Sequence, residues 1–233
     1  MLLYNRLMNN DINQMFNNIA KNYDKLNNII SLGQHSAVKK RAINNVALKS
    51  DSKVLDICTG TGDIAIYISN KIVIDGKVTG IDFSDNMLEI ARNKAKDIKN
   101  IEFINGDALA LPFQDGEFDA CFISFGLRNL SDFKAALLEM KRVTRKGGLV
   151  INIDTGKPKG VLNIFHHIYF FNIVPIFGRL FNGNASPYKY LPQSTKEFPS
   201  GEELVRLFEE IGLMEVQKFD YLFGAISEQV GKV

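Results

Sequence analysis

The stretch Lys53-Val-Leu-Asp-Ile-Cys-Thr-Gly-Thr-Gly-Asp63 decides the fold. Lys53–Ile57 is short, apolar and β-favouring, Cys58 to Gly62 are small enough for a tight turn, and Asp63-Ile-Ala-Ile-Tyr-Ile-Ser69 opens as a helix. A strand feeding a glycine turn into a helix leaves unpaired backbone N–H groups at the C-terminal edge of a sheet, where nucleotide-like ligands bind. Gly60 and Gly62 carry no Cβ, so ligand atoms can approach the main chain there. Working outward, Val78-Thr-Gly-Ile-Asp82 is a second short apolar strand ending in an acid about 20 residues after the turn, placed to accept both hydroxyls of a ribose. Phe83 follows it and joins the expected cofactor wall.

The turn fits the loose dinucleotide pattern Gly60-x-Gly62-x-x-Ala65. Asp56, however, sits in the first strand end, where a pyrophosphate would meet an anion. S-adenosylmethionine has no phosphate and offers an ammonium and a sulfonium, which an acid favours. A third apolar segment, Ile101–Ile104, ends in Asn105-Gly-Asp107-Ala108. There Asp107 can accept from an adenine amino group while the Ala108 N–H meets a ring nitrogen. Acids at three successive strand ends suit this cationic ligand better than a nicotinamide dinucleotide.

Further strands are expected at Phe118–Ser124 and Gly148–Ile153, with helices near 85–98 and 132–145. Ser84 or Asp85 is the expected N-cap of the first of these, with Met87, Leu88 and Ala91 facing inward. The alternation predicts an α/β fold with a doubly wound, mainly parallel sheet. A helix near 201–211 and two closing strands, near 215–221 and 225–230, predict an antiparallel C-terminal pair at one sheet edge. Residues 11–47 read as a helical cap, with Met15, Phe16, Ile19, Ala20 and Tyr23 at helical spacing. Within it Lys39-Lys-Arg41 reads as a solvated face.

A single domain is expected across the 233 residues: a cap over 1–50, a cofactor core over 51–156, an apolar lid over 157–200 and a closing unit over 201–233. The net charge of +2 argues against a nucleic-acid partner. Cys58 and Cys121 lie in apolar strand contexts and read as thiols in a reducing compartment, and no secretory leader pattern opens the chain. Cytoplasmic localisation follows as the expectation. Val161–Phe181 is apolar but broken by Asn163, His166, His167, Asn172 and Pro175. It predicts a lid or a peripheral membrane contact, with Lys39-Lys-Arg41 near anionic headgroups, rather than a span. Adjacent His residues without a third ligand predict no metal site.

From about Phe16 to the C-terminus the chain resembles the ubiquinone/menaquinone biosynthesis C-methyltransferases. Tyr23-Asp24-x-x-Asn27-x-x-Ile30-Ser31-x-x-x-His35 is similar to that family's N-terminal signature, and Asp56–Asp63 to its cofactor loop. Ile123-Ser-Phe-Gly-Leu-Arg-Asn129 is similar to its most distinctive internal motif, and Arg142-Val143 with Gly147-Gly148 to its second signature. The resemblance implies S-adenosylmethionine as cofactor, contacted by Thr61, Asp82, Asp107, Ala108 and Ser124, and C-methylation of a prenylated quinol, with benzoquinol and naphthoquinol both open. Departures are Val38 for Trp, Lys146 for Pro, Asp154 for Glu and Gly156 for Ser.

Methylation of an aromatic carbon needs a phenolate that pushes charge onto the ring. Arg128, beside the cofactor edge, is the first candidate to stabilise that oxyanion. Tyr23 and His35 are candidates to orient or deprotonate the hydroxyl. Rival readings are methyl transfer to another small hydrophobic phenol or lipid, a non-catalytic assembly protein on the same fold, and a nicotinamide oxidoreductase. A homodimer is compatible with the sequence.

Overall fold

The computed structural model describes residues 14–20, 23–31, 33–158, 160 and 194–233. Residues 14–19 are helical, followed by α1 (Tyr23–Ile30) and α2 (Gln34–Asn44). The core then runs β1 (Lys53–Ile57), α3 (Asp63–Lys71), β2 (Lys77–Asp82), α4 (Asp85–Lys94), β3 (Ile101–Asn105), β4 (Phe118–Ser124), a 3₁₀ turn (Leu127–Asn129), α5 (Phe133–Val143) and β5 (Thr144–Thr155). It closes with α6 (Gly201–Glu210), β6 (Met214–Tyr221) and β7 (Ile226–Lys232).

The seven strands form one sheet in the order β3-β2-β1-β4-β5-β7-β6. The first five run parallel, and β7 pairs antiparallel with both β5 and β6. The sheet thus has the doubly wound form expected from the strand–helix alternation, with the antiparallel C-terminal pair at its edge. β1 lies between β2 and β4, so the chain order reverses beside it. A crevice opens at such a switch point, outside the carboxyl ends of the strands.

Side-chain alternation in the strands separates two cores. Val54, Val78, Ala120, Phe122 and Ile151 face α2, α3 and α4, where Ala42, Ile43, Ile64, Ile68 and Leu88 pack against them. Leu55, Ile57, Ile81, Cys121 and Ile123 face α5 and α6, against Leu137, Met140, Leu204 and Phe208. Both faces are covered, which is why these strands read as almost continuous apolar runs.

Polar side chains set the helix starts. Ser84 caps α4 by accepting from the Met87 N–H, and Asp132 caps α5 by accepting from Ala135. Ser200 and Glu203 form a reciprocal capping box at α6. The departures from the resembled family also find places: Val38 is buried in the core under α2, and Lys146 is exposed. At Gly156 a Cβ would lie 2.3 Å from the Gly224 carbonyl oxygen, so a serine there would require the backbone to move. The apolar segment 161–181, with its paired histidines, lies outside the described residues. No helix among the described residues is long and apolar enough to cross a membrane.

Candidate active site

The site begins at two adjacent strand ends. Cys58 follows β1 with φ 54°, and Phe125 follows β4 with φ 53°. Bulky side chains rarely adopt this left-handed backbone, which costs on the order of 1–3 kcal/mol per residue and concentrates at functional sites. The corner is also tight, because a Cβ on Gly126 would lie 2.5 Å from that of Cys58. The Phe125 N–H donates to the Ile153 carbonyl at 2.7 Å, and the Thr59 N–H to Ile81 at 3.0 Å, so neighbouring strands hold both turns.

Asp82 organises the glycine loop. One carboxylate oxygen accepts from the Gly60 N–H at 2.8 Å and the other from the Ser84 N–H at 2.9 Å. Burial raises its pKa despite these bonds. Asp56 is almost fully buried and accepts from the Thr59 hydroxyl at 2.6 Å. Burial pushes its carboxyl up to about 7, against the opposing Thr59 bond and the charge of Lys39. The two glycines divide the work. A Cβ on Gly60 would meet nothing closer than 4.0 Å, leaving that side open to a ligand. At Gly62 it would strike Phe103 at 2.9 Å and Ala91 at 3.0 Å. Gly62, expected to let a ligand approach, instead lets α3 pack closely against β3 and α4.

Above these strand ends α1 and α2 enclose a cavity of about 330 Å³, bounded by Tyr23, Lys39, Asp56, Thr59, Gly60 and Ser124 among others. A smaller space of about 40 Å³ adjoins it between Asp82, Phe83 and Met87 on one side and Ser124 to Leu130 on the other. Phe16 stands edge-on to both Tyr23 and Phe83, at 6.2 and 6.3 Å between ring centres, and helps roof this second space. A charged cluster fastens α1 to the loop. Thr61 donates to Asp24 at 2.6 Å, and Lys94 bonds Asp24, Asp63 and the Thr61 oxygen. Thr61 was expected among the cofactor contacts, and its hydroxyl bonds Asp24 and Lys94 within the protein.

Arg128 lies in the 3₁₀ turn beyond β4. Its Nη1 donates to the buried Asp154 carboxylate at 2.6 Å and to the Phe125 carbonyl at 2.8 Å. Asp154 also accepts from the backbone N–H of Arg128 at 3.3 Å and of Thr155 at 2.7 Å. The guanidinium is thus largely neutralised by its own partner. Tyr23 lies within the electrostatic influence of Arg128, and burial raises its phenol above the ordinary value. That makes it a hydrogen-bond donor near neutrality rather than a base. The His35 side chain lies outside the described residues.

Residues 5–232 match the profile of the ubiE/COQ5 methyltransferase family. The chain belongs to this family. It is 42% identical over 228 residues to the demethylmenaquinone methyltransferases of Staphylococcus aureus strains JH9 and Newman, covering 97% of this chain and 95% of each relative. Solved structures share the fold at lower identity. A SAM-dependent methyltransferase from Aquifex aeolicus aligns over 89% of this chain and 96% of its own, with 21% identity and a TM-score of 0.65. The putative methyltransferase in a Haloferax volcanii complex with the Trm112 activator aligns over 93% and 96%, with 19% identity and a TM-score of 0.70.

As a ubiE/COQ5 methyltransferase, the chain uses S-adenosylmethionine, and the site fits that cofactor. The Ser124 hydroxyl is buried without a hydrogen-bond partner among the described residues, and Ser124 lines both spaces. An unpaired buried hydroxyl is costly unless a ligand answers it. Asp82 and Phe83 suit the ribose side, and Asp56 the ammonium. Asp107 and Ala108 sit beyond the end of β3, outside the walls of both spaces; Asp107 is exposed and accepts from the Leu109 N–H. Among the described residues no group of three acidic, His or Cys side chains is arranged for a metal.

Sequence reasoning missed the place of Lys39 and two pairings. Lys39 was expected on a solvated face beside anionic headgroups, yet it is half-buried and lines the larger cavity. Its spacing from the buried Ala42 and Ile43 was the available signal, obscured by the basic run around it. The same run places Lys40 over the Tyr67 ring and Arg41 over Tyr221. The Asp24–Lys94 pair and the Asp154 partner of Arg128 are separated by 70 and 26 residues, and no local pattern marks either.

Proposed function

We propose that this enzyme methylates a ring carbon of a prenylated naphthoquinol. The observation that carries this reading is 42% identity, over 97% of the chain, to proteins named demethylmenaquinone methyltransferase. The site chemistry supports it. Bound at the strand ends, S-adenosylmethionine supplies a methyl group on a sulfonium. The acceptor must then present an electron-rich carbon in line with that methyl, in a space that excludes water.

The larger cavity lies at the C-terminal ends of β1 and β4, where such an acceptor would sit. Tyr23, protonated near neutrality, donates a hydrogen bond that orients an acceptor oxygen. Ser124 and Asp56 bound the cofactor side, and the Phe125 ring lines the smaller space that adjoins it. Ionisation of the quinol hydroxyl sends charge onto the adjacent ring carbon. As the new carbon–carbon bond forms, the sulfur–methyl bond breaks, and the ring carbon then loses its hydrogen to restore aromaticity. The overall reaction releases one proton. For this protein we further propose a peripheral rather than spanning relation to the membrane that stores such acceptors.

The test is incubation of purified protein with methyl-labelled S-adenosylmethionine and two reduced acceptors, a demethylated prenyl naphthoquinol and the corresponding benzoquinol. Label in the naphthoquinol at a turnover at least tenfold above the benzoquinol supports the proposal. Preference for the benzoquinol, or label in neither while cofactor binds, refutes it.

A further inference from the structure

Lys39 projects from the middle of α2 towards the cofactor edge. Val38, Ala42 and Ile43 anchor this helix in the core, so the lysine is held by a rigid element rather than a loop. Its Nζ lies 5.5 Å from the centre of the Phe125 ring, and the guanidinium carbon of Arg128 lies 5.5 Å from the same ring. Two cations therefore flank the strained residue that follows β4. They differ in what they have left to give. Arg128 is engaged by Asp154 and the Phe125 carbonyl. Lys39 makes no hydrogen bond or ion pair among the described residues, so its three N–H donors remain available.

The carboxylates facing Lys39 come from three elements: Asp24 on α1, Asp56 on β1 and Asp63 on α3. Each already has a partner. Asp24 takes Thr61 and Lys94, Asp63 takes Lys94, and Asp56 takes Thr59. Burial lowers the Lys39 pKa, while these three acids oppose the shift and Arg128 adds to it. A half-buried ammonium with free donors, at the wall of a cavity beside an aromatic ring, is suited to an anion that appears during reaction.

We propose that Lys39 is a catalytic residue whose ammonium hydrogen-bonds the acceptor's hydroxyl oxygen in the larger cavity as that oxygen becomes anionic. The hydroxyl proton leaves to solvent, the ammonium keeps its own three protons, and the negative charge on oxygen is shared with the ring carbon that takes the methyl. Arg128, held by Asp154, then positions the Phe125 corner and adds a weaker field. This assignment rests on the quinol reading above.

The test compares wild type with Lys39→Gln and Lys39→Arg on the reduced naphthoquinol, together with calorimetric affinity for S-adenosylmethionine. Lys39→Gln should lower kcat about 100-fold, as removal of an oxyanion donor does, with cofactor affinity within about threefold when both are measured at a pH high enough to ionise Asp56, whose carboxyl the Lys39 charge holds down. Its pH–rate profile should also move to higher pH, because the acceptor hydroxyl loses the charge that favours its ionisation. Lys39→Arg should restore at least a tenth of the rate and the wild-type profile, which a purely packing role would not explain. If Lys39→Gln does not fold, the arginine variant and Lys39→Met, which keeps the apolar stem, carry the same comparison. Turnover by the uncharged variant within threefold of wild type, or parallel loss of cofactor affinity, overturns the assignment. Absence of wild-type turnover on the naphthoquinol removes the substrate reading itself, and this role of Lys39 with it.

Discussion

The Arg128–Asp154 pair offers a sharp test of how the site is held. Their side chains are 9% and 0% exposed, so solvent screens the pair little. Asp154→Ala removes the acceptor of three donors, the Arg128 Nη1 and the N–H groups of Arg128 and Thr155. It leaves a guanidinium buried beside an apolar gap. Breaking a buried pair from one side costs about 3–5 kcal/mol. At about 2–4 °C per kcal/mol for a chain of this size, the melting temperature should fall by about 6–20 °C. Replacing both residues, Arg128→Met with Asp154→Leu, removes the stranded charge and should recover at least half of that loss. Urea unfolding of wild type, Arg128→Met, Asp154→Leu and the double variant gives the coupling energy, expected at about 2–3 kcal/mol. Loss below about 1 kcal/mol in Asp154→Ala, or additive single effects, would refute the view that this pair holds the corner after β4.

Three other outcomes follow from the site and its surroundings. Asp82→Ala releases the Gly60 and Ser84 N–H groups together, and calorimetry should show S-adenosylmethionine binding at least about tenfold weaker, since hydrogen bonds to charged groups are worth about 1.5–3 kcal/mol. Asp56, with its carboxyl at about 7, must ionise to favour the cofactor ammonium; affinity should therefore rise about tenfold from about pH 6 to 8 and become flat over that window in Asp56→Asn. Glu228 is buried, accepts from the Tyr221 hydroxyl and has its carboxyl pushed up to about 7, chiefly by burial. Its proton stays bound in the fold after the unfolded chain has released it. The stability it confers is full below about pH 4.5 and lost as pH rises through about 7, on the order of 3 kcal/mol. Asp56 contributes with the same sign, so Glu228→Gln should flatten part of the slope in urea-melt stability across that window, and an unchanged slope would contradict the assignment.

What could be read from the sequence was local. The turn after β1 announces itself because strand, glycines and helix are contiguous, and the Asp82 strand end and Ser84 cap lie within single short segments. The parallel core and antiparallel edge followed from strand–helix alternation and the two closing strands. The site was only partly legible, because several of its decisive contacts join distant segments. Arg128 was visible in its motif, but not that Asp154 neutralises it. Thr61 was expected among the ligand contacts from its place in the glycine loop, and the sequence did not show that its hydroxyl bonds Asp24 from α1. Gly62 shared a loop with Gly60 and so was given the same role, whereas the space its missing Cβ leaves belongs to Phe103 and Ala91. Lys39 was masked by its neighbours, since a run of three cations resembles a surface until helical phase is counted from Ala42 and Ile43.

In the proposed mechanism a phenolic oxygen is activated so that a neighbouring carbon takes the methyl group. The most direct measurement is product analysis by mass spectrometry and NMR after methyl transfer to the demethylated naphthoquinol, supplied both chemically reduced and oxidised. Methyl attached to the ring carbon, formed only from the reduced acceptor, is the predicted result. Methyl on oxygen, or equal transfer to the oxidised quinone, would contradict it.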